Sequence, residues 1–574
     1  MFIVFEGIDG SGKTTISNKV ANRLRKSGLS VTHVREDGTF TSSSAQAIRE
    51  LGRDARNLML SPLSELLLYL ARDAQSLEEV VLPALPHSDI VISDRYLYSA
   101  QLLAIAGRGI APEIVRSIAA PFEARLSPDL AILVDVPPDV ARARRRVSKL
   151  ISPSDKPGSR KNLAGGGLQV KMHRAHRELA DQNPDVWLVV ENDDADLSEV
   201  VDALTAAIYT AHAQGVAAGL AEGRRRLPRP AAPLPAPSTP AEAREALLAW
   251  IDHRAVREPA LAAYILGGCS HPDIHVRRRA LAEHAPVVVA HGLVGLDDLE
   301  AWRLRQELAE QAPHAVAKSL NGLATPEAYR WRRALATVVP EAVASSLNGL
   351  DDPDAWFLRD TLRELCADAV CASLTNVQSA RADTERRRWL ATCPAEGPTT
   401  YGAARAGARM VNGCTDDVAW RIRQLTFGLA PADTIASLKG DDSSRAWRWR
   451  EKYLDRAPRP VADSIGGMDA PEAWALRAAL APHCREAFQS MIGLDGVQAW
   501  ALRTAHADVW PSTVCKSLGA LAHTSLGTQL LTEILRNHRG VSLLRNAARL
   551  DQLPAQPVVL ARPPMVRMRA ELVS

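Results

Sequence analysis

The sequence predicts an α/β domain, a parallel sheet covered by helices on both faces, followed by an all-α solenoid of short repeats of about 27 residues. Two observations predict it. The first is an apolar run, Phe2-Ile-Val-Phe5, that leads into Gly7-Ile-Asp-Gly-Ser-Gly12-Lys13-Thr14 and then into the helical pattern Ile16 to Leu24. The second is the segment Ser-Leu-Asn-Gly-Leu at 319, which returns at 346 and, in looser form, begins again at 292, 373, 410, 437, 464, 490 and 517. A unit this short cannot bury its own apolar face, so the units must stack.

Strand, glycine-rich turn and helix N-terminus in that order make a phosphate-binding P-loop. Gly7, Gly10 and Gly12 let backbone N–H groups converge on phosphate oxygens, with Asp9, Ser11 and Thr15 in the same turn, and the helix dipole favours negative charge there. Lys13 can reach the β- and γ-phosphates and the Thr14 hydroxyl can ligate Mg²⁺. This is a nucleoside triphosphate site.

Val31 to Val34 reads as a second strand, followed by the polar Arg35-Glu-Asp-Gly38-Thr39, and a long amphipathic stretch runs from about Leu58 to Leu85. Ile90-Val-Ile-Ser-Asp94 is an apolar run ending in a carboxylate, which a parallel sheet places at its ligand-binding edge, where Asp94 can hold hydrated Mg²⁺. Leu130 to Asp135 is a further buried strand, and the helix after it carries Arg142, Arg144, Arg145 and Arg146. Ser148 to Gly167, with Gly165-Gly-Gly167, reads as a mobile basic flap of the kind that excludes water and brings charge to a transferring phosphoryl group. Val186 to Val190 is the last strand and Leu197 to Ala211 the last helix of this part.

Several of these segments together resemble the thymidylate kinase family. FEGIDGSGKTT at 5 to 15, Arg35-Glu36 at the position of an R-E-P-G-G-T segment, Arg72 of YLARDAQ, Asp94-Arg95-Tyr96 with Ser99, SPDLAILVDV at 127 to 136 and the Arg-rich lid occur in the family's order over residues 1–212. The resemblance implies a nucleoside monophosphate kinase that moves the γ-phosphoryl group of ATP onto a nucleotide 5′-phosphate with Mg²⁺, most directly dTMP to dTDP. It implies that Lys13 and Thr14 bind ATP and metal, that Asp9 lies by the acceptor sugar, and that Arg35, Arg72 and Arg95 grip the acceptor phosphate. Gly10 and Ser11 leave no arginine in the P-loop, so Arg144, Arg145 and Arg146 of the lid would supply catalytic charge alongside Lys13 and Asp94. Leu68 stands four residues before Arg72, where the family has a Phe that stacks on thymine, and Tyr69 is one position further on. Leu102-Leu103-Ala104 replaces an A-Y-Q common in bacterial members. Phosphoryl-transfer parts are kept and base-reading parts are changed. The competing expectation is therefore a degenerate kinase, an ATP-responsive switch for whatever the solenoid binds.

The chain divides into residues 1–213, a helix end and basic, proline-rich linker at 214–240, repeats at 241–550 and a Pro/Arg tail at 551–574 containing Arg562, Arg567 and Arg569. Two short helices per unit give a stack similar to HEAT-like repeats, with a core separate from that of the first domain. Successive marks lie 27, 27, 27, 37, 27, 27, 26 and 27 residues apart, which gives about nine units and places an insertion in Cys393 to Gly407. Thr325-Pro326 and Asp352-Pro353 are N-cap and N1 signals, and Gly322, Gly349, Gly440 and Gly467 suit left-handed helix C-caps. An aromatic residue recurs at Trp302, Tyr329, Trp356, Trp420, Trp447, Trp474 and Trp500, with Arg305, Arg332, Arg359, Arg423, Arg450, Arg477 and Arg503 three residues later. Either the aromatics fill the core while the arginines pair with acids such as Asp351, Asp352, Asp441 or Asp469, or the arginines line a concave face as a stripe for a polyanion. Acids recurring in the same units favour the first.

A net charge of +3 over 574 residues argues for no nucleic-acid partner. No apolar run reaches membrane-span length, and the expected location is the cytosol. All seven cysteines lie after residue 268 without C-x-x-C or clustered His, which reads as reduced buried thiols rather than zinc ligands or disulfides. The expected partners are ATP, a nucleoside monophosphate and a protein bound by the solenoid; the family resemblance adds a homodimer through the kinase helices.

Overall fold

A computed structural model describes residues 1–153, 159–229, 234 and 236–552. The tail arginines, residues 154–158 of the expected flap and residues 230–233 and 235 of the proline-rich linker lie outside the described residues. Five strands, β1 (Phe2–Glu6), β2 (Val31–His33), β3 (Ile90–Asp94), β4 (Leu130–Asp135) and β5 (Trp187–Glu191), form one parallel sheet in the order β2-β3-β1-β4-β5. β1 and β3 are buried along their whole length, as continuous apolar runs in a doubly covered sheet must be. Register pairs Phe5 with Asp94, so the glycine turn after β1 and the carboxylate ending β3 emerge side by side at one edge.

The helices of this unit are α1 (Lys13–Lys26), α2 (Ser43–Arg53), α3 (Pro62–Ser76), α4 (Leu97–Leu102), α5 (Pro112–Arg125), α6 (Pro138–Ile151), α7 (Gly167–Gln182), α8 (Leu197–Gln214) and α9 (Val216–Arg226). Gly215 at φ 98° reverses the chain, and α9 folds back on α8 because Gly219 and Gly223 have no Cβ to strike the Ala207 carbonyl and Leu188.

From Pro240 to Leu550 the chain is helical, two helices per repeat, with each inner helix packed on the inner helix of the next unit. Local chemistry explains the repeat. Thr325 and Asp352 accept the N–H of the residue three further on, with Pro at the first helical position. Gly322 and Gly349 take φ of 83° and 75° in the turn between the helices, and in the next unit Asn376 takes the same conformation at φ 61°. The ten-residue insertion lies partly in the loop 393–400 and partly in longer helices, Ala380–Thr392 and Tyr401–Met410.

The stack closes on itself, which the repeat pattern did not predict. Helix Pro240–Ala255 packs against helix Val541–Leu550, Arg244 pairs with Asp551 at 2.5 Å, and the Ser270 N–H donates to Gln552 at 2.6 Å. First and last repeats thus complete a ring.

The arginine ladder is buried, which decides against the surface stripe and for the interior alternative, although the arginines' partners are mostly not the acids expected. Arg305, Arg332, Arg359, Arg423, Arg450, Arg477 and Arg503 have 0% exposure. Arg359 shows the pattern: its guanidinium lies 4.8 Å from the Trp356 ring centroid, Nη2 donates to the Leu347 carbonyl at 2.9 Å and the Ser373 carbonyl at 3.1 Å, and Nε donates to Ser373 Oγ at 2.9 Å. Leu347 and Ser373 stand at the C-terminal ends of consecutive inner helices. Each arginine therefore satisfies carbonyls that a helix end leaves unpaired and places its cation at the negative end of two dipoles. The acids do other work. Asp351 and Asp469 accept from the indoles of Trp356 and Trp474 at 2.7 Å, and among the described residues only Arg423 of the seven has a carboxylate partner, Asp441 at 3.4 Å. Arg278 and Arg386 belong to the same ladder, unmarked in the sequence because His275 and Asp383 replace the aromatic.

The two cores are not separate. Val140, Ala143 and Val147 of α6 join one continuous apolar cluster with Leu261, Ile265 and Val288 of the first repeats. Arg359→Ala leaves three acceptors unpaired around a void and should cost about 3 kcal/mol or more in urea unfolding followed by circular dichroism. Arg387→Ala, at an exposed position, should stay within about 0.5 kcal/mol of the parent.

Candidate phosphoryl-transfer site

The P-loop is shaped by its neighbours as well as by its glycines. A Cβ on Gly7 would stand 2.5 Å from the Val134 carbonyl, and one on Gly10 would overlap the Ala141 carbonyl of α6, so both positions require glycine, with φ of 141° and 95°. Lys13 Nζ donates to the Ile8 carbonyl at 3.3 Å, and burial, reinforced by Arg95, lowers its pKa to about 8. Thr14 Oγ1 donates to Asp94 Oδ2 at 2.6 Å. Asp94 Oδ1 and Ser11 Oγ are buried without a partner among the described residues. A hydroxyl beside a carboxylate with an unused buried oxygen is an oxygen-donor set suited to Mg²⁺, and the positive-φ turn fits the phosphates of ATP. Thr15 is exposed. Asn192, just past β5, donates from Nδ2 to the Ser11 carbonyl at 2.7 Å and braces the turn.

On the other side of Asp9 stands a cluster of guanidinium groups. Arg95, at φ 78°, ion-pairs with Asp9 and donates to Ser99 Oγ at 2.7 Å, and Ser99 in turn donates to Glu6 at 2.5 Å. Burial works against the Asp9 charge, yet Arg95, Lys161, Lys13 and Arg145 hold its carboxyl well below the usual range. Arg35 donates to the Asp94 carbonyl at 3.2 Å, and Arg35 and Arg72 both stack on Phe40, at 5.3 and 5.5 Å. Arg72 also pairs with buried Asp73 at 2.6 Å. Arg49 and Arg53 of α2 join the cluster without a carboxylate partner among the described residues; burial and the cations Arg53, Arg35, Arg72 and Arg95 lower the Arg49 pKa to about 9. Leu68 is half-buried beside Gly52, whereas Tyr69 presents its ring to Arg72 at 5.0 Å and to Lys161 at 5.8 Å with an unpartnered hydroxyl. The aromatic surfaces of this cluster are Phe40 and Tyr69.

The lid differs from the expected mobile flap, because its described part, residues 159–167, is wedged between the sheet domain and the ring. Arg160 donates to the Asn57 carbonyl at 2.9 Å and ion-pairs with Glu65 at 3.4 Å. Leu163 is buried in one apolar cluster with Ala55 and Leu58 below and Val461, Ile465 and Leu480 of the repeats above. Glu486 accepts the Gly166 N–H at 3.2 Å, and any side chain on Gly166 or Gly167 would overlap Arg485 or the His483 carbonyl. The three glycines serve close approach rather than motion. Of the lid-helix arginines, Arg144 is turned away to Glu258 of the first repeats at 2.8 Å and to the Asn192 carbonyl at 2.9 Å. Arg145 lies against Gly10 and donates to Asn162 at 3.3 Å, while Arg146 opens to a cavity beside the ring. Lys161 stands near Asp9; burial, opposed by Asp9 and aided by Arg95, lowers its pKa to about 7.

The family model for thymidylate kinase matches residues 5–163. A thymidylate kinase of Pelobacter propionicus is 36% identical over 209 residues, which is 93% of that protein and 36% of this chain. Another, of Mycoplasmopsis agalactiae, is 33% identical over 211 residues, 94% of its length and 36% of this chain. This chain belongs to the thymidylate kinase family. The crystal structure of thymidylate kinase from Ehrlichia chaffeensis is a further match, 26% identical, covering 97% of that chain and 36% of this one at a TM-score of 0.27. The N-terminal unit is a nucleoside monophosphate kinase, a phosphotransferase. Among the described residues, no helix is long and apolar enough to cross a membrane.

The family motifs led to Lys13, Thr14, Asp94, Arg95 and Ser99, and missed Asn192, Arg49, Arg53, Phe40 and Lys161. Arg49 and Arg53 at helical spacing on α2 were a readable signal; Asn192 and Lys161 carry none, since each reaches the site only through the fold. Because Gly166 has no room for a methyl group, Gly166→Ala should lift the lid from the repeats. Amide exchange across 159–167 should quicken about tenfold or more while β1 stays protected, and Arg485→Ala added to it should slow that exchange again.

Proposed function

We propose that this protein phosphorylates dTMP with Mg·ATP to give dTDP and ADP. The observation that carries the reading is the placement of one P-loop, with Lys13, Thr14 and Asp94, beside a five-arginine cluster around Asp9. That charge exceeds what its own carboxylates offset and suits a dianionic acceptor phosphate.

In this reading the amides around Gly10 to Thr14 cradle the donor phosphates, with Lys13 at their far end. Mg²⁺, held through Thr14 and Asp94, would neutralise charge on the phosphates. Arg35, Arg72 and Arg95, joined by Arg49 and Arg53, fix the acceptor phosphate, and Asp9 orients Arg95 next to the acceptor sugar. Tyr69 offers its face to the base. Arg145, Arg146 and Lys161 supply positive charge as the phosphoryl group passes between oxygens, a transfer in which positioning and electrostatics carry most of the rate. Arg144 acts instead as a strut to the ring through Glu258. That engagement favours the alternative, a nucleotide switch whose lid reports to the repeats. A protein partner for the repeats, a homodimer and a cytosolic site of action accompany the proposal from the family resemblance and composition.

A turnover panel separates the readings. Full-length protein should convert ATP to ADP with dTMP at least tenfold faster than with UMP, CMP, AMP or GMP; no stimulation by any acceptor would leave the switch. Lys13→Ala should lower dTMP-dependent turnover by about a thousandfold. Lys161 loses its proton as pH rises through about 7, so its charge is present below that pH, and kcat/KM for ATP should fall above it. Lys161→Arg should flatten that limb. Tyr69→Leu should raise KM for dTMP about tenfold, whereas Leu68→Phe, directed at Gly52, should leave it within about twofold.

A further inference from the structure

Between the lid and the last repeats lies a cavity of about 610 Å³, within the size range of ligand pockets. None of residues 7–15 lines it; α6 stands between, with Ala141 facing Gly10 and Arg142, Arg146 and Lys149 facing the cavity, while Arg145 and Lys161 border both the cavity and the P-loop side. Nine Lys and Arg side chains border it against three carboxylates. Those three are already engaged: Asp139 accepts the Ser542 N–H at 3.1 Å, Glu486 accepts Gly166, and Asp508 pairs with His538 at 2.9 Å. Among the described residues, Arg142, Arg146, Lys149 and Arg174 have no carboxylate partner, and burial together with Arg145, Arg146 and Arg459 lowers the Lys149 pKa.

A second feature points the same way. Four helices begin at the cavity wall: α6 at Pro138, α7 at Gly167, and the repeat helices Pro511–Leu518 and Val541–Leu550. Each brings the positive end of its dipole and first-turn N–H groups. No side chain caps Pro511–Leu518. Cations drawn from both halves of the chain are thus crowded around four helix N-termini with their native acids engaged elsewhere. Trp510, buried at the edge with its indole bound to the Ala481 carbonyl at 2.8 Å, gives one rigid apolar wall.

We propose that this cavity is a second anion site, adjoining the phosphoryl-transfer site and sharing Arg145, Arg146 and Lys161 with it, that takes a chain of linked phosphates, either inorganic polyphosphate or the triphosphate of a nucleotide. A single phosphate would leave most of the cations unmatched, whereas a linear chain with several charges spans the two sides and draws lid and ring together.

The test is calorimetric titration of full-length protein with inorganic tripolyphosphate, and separately with ATP, beside the double variant Arg174→Ala/Arg539→Ala, whose residues are exposed and come from opposite walls. The proposal expects tripolyphosphate affinity at least tenfold weaker in the variant, with dTMP-dependent turnover at saturating ATP within twofold and a melting temperature within about 2 °C. It expects Lys13→Ala to retain this binding. Comparable ATP and tripolyphosphate affinities in Lys13→Ala would mean that only the phosphate chain is read; at least tenfold tighter ATP would mean that the nucleoside is read too. Unchanged tripolyphosphate binding in the double variant would overturn the proposal. So would a raised KM for ATP with a single binding site, because the cavity would then belong to the donor site. If the parent kinase reading fails, turnover is absent while tripolyphosphate binding persists, so the two failures are distinguishable.

Discussion

A guanidinium group buried between the C-terminal ends of two successive inner helices is the constraint on which the repeat half depends. A short helix of six or seven residues leaves most of its carbonyls unpaired, and a stack of such helices multiplies the deficit. One arginine per repeat answers it with several donors in a rigid fork, and an aromatic face covers the remaining surface. Burial pushes the guanidinium groups of Arg305, Arg332, Arg359, Arg423, Arg450, Arg477 and Arg503 down only to about 10, so each of these keeps its charge at neutral pH. Lysine could not reach both helix ends at once. The spacing of the ladder therefore fixes the spacing of the helices, and the accumulated rotation brings the first repeat back to the last.

Closure has consequences for the kinase half. A ring offers an inner surface of defined size, and α6 and the lid occupy part of it. In this chain the segment between α6 and α7 is an element of the interdomain core, buried through Leu163 and tied by Glu486 and Arg485. The phosphoryl-transfer site is thus assembled from the sheet edge on one side and from a lid seated on the repeats on the other. Arg144, a motif arginine, is drawn into that seam by Glu258. Residues 1–213 read as an independent unit in sequence, but their lid geometry rests on residues 258 to 486.

Legibility followed the range of the interactions. The P-loop, Asp94 and Arg95 were readable because strand, turn and helix propensity act over a few residues and the chemistry sits within them. The repeat caps were readable for the same reason: Thr325 and Asp352 act on amides three residues away. The ladder was half readable. Its period stood in the sequence, but the choice between a surface stripe and a buried bridge depended on distant acceptors, as at Arg359, whose acceptors stand 12 residues before and 14 after it. The glycines of 165–167 were misread because glycine signals either freedom or crowding, and only the neighbour decides which. Leu68 and Tyr69 differ by one position on a helix, a rotation of about 100°, and counting from Arg72 could not say which side chain faced the cluster.

The sequence by itself determined the two architectures, the phosphate-binding turn and the repeat period, since these are set by patterns local in the chain. Only the tertiary structure decided that the ladder is interior, that the stack closes, that Arg49, Arg53, Lys161 and Asn192 converge on the site, and that the lid is held by the ring. The physical reason is common to all four: each depends on which side chain or carbonyl stands opposite across tens to hundreds of residues, and burial turns that opposition into a requirement for pairing.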